Sequence, residues 1–546
     1  MSEKTKIRFS ILAIVAIVIL CIGISPIGLQ NDTFYTVKIG EHILENGIDG
    51  KDPFSWHAGL TYTYPHWLYD VIMYLIYQFG GWNAVYLSTV ILCCTLGLVL
   101  YYTNQKTTKK PLVSFILTLG VMYFIKSYIA ARAQLPTFIL FVLSFYWIER
   151  FLQTKKKRYA VGLMLISLLI ANLHVAVWPF FFVLFMPYIV EYLCAVIRDS
   201  RPIYHIKKIW YKINIKIRKN GEKKKQYEIK KIEYDQLAEK IYQNQLEKRK
   251  DPYKIILKRN SIVKWLILVL LLCALMGLIT PLGDTPYTYL IKTMQGNTTQ
   301  NINEHLPLTL YNQKDILCVM AVFIAILLFT KVKIKLSDLF LVAGLVYLCL
   351  MSRRQISMFL ILGVFVLNRL ICYFLDRYDL AQKDQRKAIN LMTSITGQAV
   401  VLLLVISISY SVIGPRIKGK EKFISTTTYP VEASQYLLEN LDLGKLRLYN
   451  EYNYGSYLLY RGIPVFIDSR ADLYTPEFNE GKNIFQDFLN ISNISTYYET
   501  KFKEYDITHV IVYKNAKLNM FLARDTNYKE LYSDTSFVIY ERQTVS

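Results

Sequence analysis

Eleven apolar runs divide this chain, and no other feature restricts its fold so severely. They fall at about 9–29, 82–102, 111–129, 134–152, 159–173, 176–197, 263–281, 314–330, 336–352, 355–375 and 395–414. About 20 apolar residues in helical form cross the roughly 30 Å hydrocarbon layer of a bilayer, where every backbone polar group must be satisfied within the segment. The expected fold is therefore a polytopic α-helical membrane protein of about 11 spans. Composition agrees, because 53% of the 546 residues are hydrophobic although the formal net charge is +23. Both facts are compatible only if the basic residues lie in the connections. The first run has a basic flank, "MSEKTKIR", but no small-residue cleavage site after it, so it reads as a retained first span.

Charge gives the expected orientation, since basic segments resist translocation. With the N-terminus cytoplasmic, the inner connections are "NQKTTKK", "QTKKKR", the insert 198–262, "KVKIK" and "DRYDLAQKDQRK", all of them basic. The insert holds 20 Lys and Arg against 8 Asp and Glu, whereas residues 415–546 hold 16 against 17. A basic loop between two spans reads as a surface for anionic membrane lipids; it carries no recognisable nucleic-acid fold, so nucleic acid is not an expected partner. The domain reading is a transmembrane domain over 1–414, with an outer loop 30–81 and the insert 198–262, followed by an extracytoplasmic α/β domain over 415–546. All eight cysteines fall in apolar runs, so neither a disulfide framework nor a thiolate metal site is indicated.

Within the outer loop, "HWLYDVIMYLIYQFGG" (66–81) is too short to span. Trp67, Leu68, Val71, Ile72, Leu75, Ile76 and Phe79 repeat on one helical face, which predicts a helix lying in the membrane plane. In the tail, "PVEASQYLLENL" predicts a helix opened by Pro430. "LRLYN", "IPVFIDS", "THVIVYK" and "SFVIYER" predict strands, with helical stretches near 477–490 and 518–524. No phosphate-binding glycine loop and no Ser-His-Asp arrangement is found there. "FIDSRAD", with Asp468, Arg470 and Asp472, reads as a strand-end turn with an internal ion pair.

The orientation collects polar residues from distant segments onto one face: Asp32, His66, Arg132, Asn172, His174, Arg353 and Arg354. Ionisable groups at membrane depth are costly unless they line a wet cavity or meet a partner. Each has an ordinary alternative, such as Asp32 as the N-cap of a helix over Thr33–Asn46. Taken as a set they suggest an anionic substrate, because arginine stays charged and grips phosphate bidentately.

The segment "NDTFYTVKIGEHILENGIDGKDPFSWHAGLTYTYPHWLYDVIMYLIYQFGG" resembles the first extracytoplasmic loop of the GT-C glycosyltransferases. "ANLHVAVWP", "SRRQISMFLI" and the tail "YNEYNYGSYLLYRGIPVFIDSRADLYTP" resemble elements of bacterial members with a C-terminal extracytoplasmic domain. The resemblance implies an enzyme of the cell membrane that moves a sugar from a polyprenyl-phosphate carrier to a glycan, lipid or protein acceptor. It implies Asp32 as the base, Arg132, Arg353 and Arg354 as phosphate ligands, and His66, Asn172 and His174 as residues shaping the substrate pocket. Many relatives carry two adjacent acids, whereas here Asn31 precedes Asp32; Asp52, Asp284 and Glu304 are the candidate second acids. No cofactor is expected, and a divalent metal has no support from a ligand set. The alternatives are a polysaccharide polymerase or ligase using polyprenyl-linked donors, and a lipid or glycan flippase, which is expected to show internal repeats and broken helices.

Overall fold

A computed structural model describes all residues except 1, 201, 218–220, 249–253, 297, 310, 312, 379–381, 419–421 and 544–546. Parts of the insert 198–262 and of the loop 282–313 thus lie outside the described residues. The chain is a polytopic α-helical membrane protein carrying a C-terminal β-sheet region. The expected count of spans is corrected. Among the described residues, six helical segments are long and apolar enough to cross a membrane: Glu3–Ile24, Trp67–Thr108, Gln134–Thr154, Val175–Arg198, Arg353–Arg377 and Ile395–Lys418. The other five runs do form helices, but these are short: Pro111–Phe124, Lys157–Leu173, Val263–Leu275, Lys314–Phe329 and Leu336–Met351. At 1.5 Å per residue a helix of 17 residues reaches only about 25 Å, less than the hydrocarbon thickness.

Small residues let the helices approach. A Cβ on Gly97 would lie 2.8 Å from Ile17 and 2.9 Å from the Cys21 sulfur, and one on Gly23 would lie 2.4 Å from the Ser409 Cβ. Such contacts favour helix association where lipid removes the hydrophobic driving force between helices.

The helix Trp67–Thr108 breaks at Gly80 and Gly81, where Gly81 takes φ 58° and ψ −150°. That conformation is open to glycine and closed to branched side chains. The break separates an arm, 67–79, from the spanning part. Ile72, Leu75 and Phe79 are exposed along one side of the arm, as an in-plane helix requires. Its other side packs on the helix Asn31–Asn46, where Gly40 lies against the backbone of Asp70. Asp70 is fully buried in this contact.

In the tail, β3 (Leu448–Tyr449), β4 (His509–Tyr513), β5 (Tyr528–Ser533) and β6 (Phe537–Arg542) follow two two-residue strands, β1 (Ile255–Ile256) and β2 (Ile334–Lys335), that pair with each other. The tail sheet has the order β3-β4-β6-β5, parallel between β3 and β4 and antiparallel elsewhere. The helix after Pro430 forms as expected, at Val431–Asn440. "IPVFIDS" is not a sheet strand; Val465 makes only a single bridge, to Ser55 of the outer loop. The segment "YNYGSYLLY" forms a helix, Tyr452–Tyr460, and the fourth strand is "YKELYS".

The tail and the outer loop share one hydrophobic core. Phe34 packs edge-on against Trp82, Tyr429 and Tyr457, and Tyr62, Tyr64, Leu282 and Tyr289 join the same cluster as the inner face of the sheet. Polar staples reinforce it. Arg470 pairs with Asp468 at 2.6 Å and with Asp52 of the outer loop at 2.7 Å, all essentially buried. Asp472 accepts hydrogen bonds from Tyr289 (2.6 Å) and Thr293 (3.2 Å). "FIDSRAD" thus contains the expected ion pair and also binds the loop 30–81 and the helix Thr285–Gln295 to the tail.

Candidate active site

Five segments converge on a small cavity of about 30 Å³ lined by Asp32, Tyr35, Thr36, His66, Tyr69, Arg132, Ala133, Gln134, His174 and Arg354. The helix Asn31–Asn46 supplies the first three. Its N-cap position is Gln30, so Asp32 lies within the first turn and is not the cap. A carboxylate there is favoured by the helix dipole and is free to point outward. Asp32 forms an ion pair with Arg132, whose other edge lies 3.5 Å from Glu304.

Arg132 sits in a turn pinned on both sides. Thr33 donates to the carbonyl of Ala131 (3.3 Å), and Tyr128 donates to the carbonyl of Arg353 (3.0 Å). Those two bonds fix the turn between the helix carrying Asp32 and the turn carrying Arg354. On the opposite wall the rings of His66 and His174 meet edge to face at 4.8 Å, and the Val175 N–H donates to the Pro65 carbonyl (3.0 Å).

Electrostatics distinguish the members. Burial opposes the charge of Arg132, but Asp32 and then Glu304 outweigh it and hold its pKa above the ordinary value. Burial, then Arg354 and Arg132, push His66 down to about 3. His174 is lowered for the same reasons, with His66 adding to the effect. Both imidazoles are neutral near pH 7 and act as hydrogen-bonding groups only. The Arg354 carbonyl accepts from the Ser357 hydroxyl (2.9 Å), but its guanidinium has no hydrogen-bonded or ion-paired partner among the described residues. A guanidinium left free in a half-enclosed cavity has the charge and the donors to receive an anion.

No family model and no curated protein sequence matches the chain, but solved structures do. The oligosaccharyltransferase of Archaeoglobus fulgidus in its apo form aligns with TM-score 0.53 and 12% identity, covering 100% of this chain and 76% of that one. The oligosaccharyltransferase AglB from the same organism, in complex with an inhibitory peptide and a dolichol-phosphate, aligns with TM-score 0.52 and 12% identity over 100% and 75%. The chain shares the fold of these archaeal oligosaccharyltransferase structures. ArnT from Cupriavidus metallidurans, bound to undecaprenyl phosphate, shows a looser likeness, with TM-score 0.48 and 9% identity over 98% of each chain.

Within this fold, Asp32, His66, Arg132, His174 and Arg354 line one cavity, and Glu304 joins them through Arg132. The remaining candidates do not line the cavity. Asn172 accepts from the Trp67 indole (3.1 Å) and donates to the carbonyl of Ile279 (3.1 Å), so it holds the start of the in-plane helix. Arg353 donates through Nε to Pro307 (3.3 Å). Asp52 is committed to Arg470, and Asp284 is exposed at the start of the helix Thr285–Gln295.

Tyr35, Thr36, Tyr69 and Gln134 are lining residues that the sequence reading missed. Tyr35 and Thr36 follow Asp32 by three and four positions, and Tyr69 follows His66 by three, so helical spacing carried the signal. Among the described residues no group of three or more His, Cys, Asp or Glu is placed to share a metal ion.

Proposed function

We propose that this protein is a membrane glycosyltransferase that transfers a sugar from a polyprenyl-phosphate carrier to an acceptor hydroxyl or amide on the extracytoplasmic face, with its N-terminus in the cytoplasm. The observation that carries this reading is the unpaired Arg354 beside the Asp32–Arg132 pair, in one cavity of a chain with a GT-C-like fold. An acid and a free cation are the two groups that displacement of a phosphate needs.

In the proposed step the donor phosphate binds Arg354 and competes with Asp32 for Arg132. The released Asp32 carboxylate orients the acceptor and takes its proton as the acceptor attacks the anomeric carbon. The bond from that carbon to the phosphate oxygen breaks, and polyprenyl phosphate leaves with the electron pair. Its growing charge falls on Arg354 and Arg132, which bind the transition state more tightly than the singly charged phosphodiester of the ground state. A single displacement inverts the anomeric centre. The neutral His66 and His174 hydrogen-bond sugar hydroxyls without adding charge. The core shared by the tail and the outer loop supports a role for the tail in closing the cavity and presenting the acceptor.

The test is transfer by the purified full chain from radiolabelled polyprenyl-phosphate sugars, with release of polyprenyl phosphate followed by chromatography. Turnover that vanishes in Arg354→Gln supports the reading. Failure of a broad donor panel to turn over, with the protein folded and the carrier bound, contradicts it.

A further inference from the structure

The face opposite the candidate active site holds a second cavity, of about 180 Å³, against about 30 Å³ for the first. The two lie at opposite ends of the same helices. Gln134 opens the helix Gln134–Thr154 at the first site, and Arg150 and Gln153 close it at the second, about 30 Å away for 21 residues at 1.5 Å each. The helix Ile356–Arg377 likewise begins just after Arg354 and carries Arg369 and Asp376 into the second cavity.

The charges there do not balance. Arg369 is offset by Glu149 (3.4 Å) and Asp338 (3.3 Å), and Asp376 by Lys110 (2.6 Å). That leaves Lys106, Arg150 and Lys335, all lining the cavity, outside any ion pair among the described residues, although the charge of Lys335 reaches Glu149 and Asp338. Arg150 donates through NH1 to Gln153 (3.1 Å), and its buried Nε has no acceptor, nor does the Nε of Arg369. Lys106 lies in the last turn of its helix, where the dipole favours cations, and Arg150 lies one turn before the end of Gln134–Thr154. Lys335 instead immediately precedes the helix Leu336–Met351, whose N-terminus is itself an electropositive end. Tyr102 and Tyr373 stand exposed beside the cavity, the placement typical of aromatic residues at headgroup depth.

We propose that this cavity is a second anion site, built to take a phosphate group from Lys106, Arg150 and Lys335. It is independent of the sugar-transfer site, and its occupant is either a lipid headgroup or free phosphate. Full-length protein in uncharged detergent is titrated separately with dioctanoyl phosphatidic acid and with inorganic phosphate, and the shift in Tm is followed to saturation.

At least one probe is expected to give a saturable rise. The Lys106→Gln/Arg150→Gln double variant is expected to weaken the apparent affinity at least about tenfold, as loss of charge-assisted hydrogen bonds should. The single variant Lys106→Gln, at an exposed position, should keep the parent's Tm without probe while lowering the affinity; Lys335→Gln gives the same reading from a separate element. A response to phosphatidic acid alone identifies a lipid headgroup, and a response to phosphate identifies a soluble anion. Parental affinity in these variants, loss of the response in Arg354→Gln instead, or no saturable response to either probe overturns the proposal.

Discussion

Arg132 is the residue on which the site turns, because it binds Asp32 on one edge and approaches Glu304 on the other. Removing one member of such a partly enclosed set separates the proposed roles. Asp32→Asn keeps the shape but cannot take a proton, so turnover should fall about 10²–10⁴-fold with carrier binding retained. Arg354→Gln should lose about 10²–10³-fold in turnover and weaken carrier binding as well, measured by initial rates and by a binding titration. The histidines give a stability signature. His66, held down to about 3, and His174, also lowered, stay neutral in the fold, while the same groups protonate near pH 6.5 when unfolded. The unfolded state then binds more protons below pH 6.5, so stability falls as pH drops from about 6.5 towards 4. Thermal denaturation across that range should show the fall, and His174→Asn should flatten it.

Helix contacts decide whether these side chains meet. The helix Asn31–Asn46 reaches its partner arm only because Gly40 has no side chain; a Cβ there would come 2.1 Å from the Asp70 carbonyl oxygen. Gly40→Val should therefore lower stability by about 1–3 kcal/mol or more and displace Asp32, read as a lower Tm and lost turnover. The buried Arg470 staple makes a second test. Arg470→Met leaves Asp468 and Asp52 enclosed without a cation, a loss of about 3–5 kcal/mol, whereas a surface ion pair of the same length is worth under about 1 kcal/mol. This staple was half legible in the sequence: "FIDSRAD" announced an ion pair, but nothing in it pointed to Asp52, some 420 positions away. The helix Tyr452–Tyr460 was obscured for a related reason, since tyrosine-rich "YNYGSYLLY" has no strong helix propensity and is held by burial of Tyr454, Tyr457 and Leu458.

At the scale of the whole molecule, the membrane class and the gathering of Asp32, His66, Arg132, His174 and Arg354 were readable from apolar runs and charge, and so was the apolar side of the arm 67–79. The number of spans was not. Hydropathy marks apolar helices whatever their length: Pro111–Phe124 has only 14 residues, yet it runs from the end of the helix bearing Lys106 at the second cavity to the turn bearing Arg132 at the first. Asn172 and Arg353 shared the expected face but turned their side chains to neighbouring backbone. Reporter fusions at Lys106 and at the C-terminus should fall on opposite sides of the membrane, as the charge pattern of the connections expects. The most direct measurement is the position of a bound polyprenyl phosphate in an experimentally determined structure of the full chain. Its phosphate should lie within hydrogen-bonding distance of the Arg354 guanidinium, with Asp32 facing the sugar-bearing side. A phosphate seated elsewhere, with Arg354 left unengaged, would contradict the proposed chemistry.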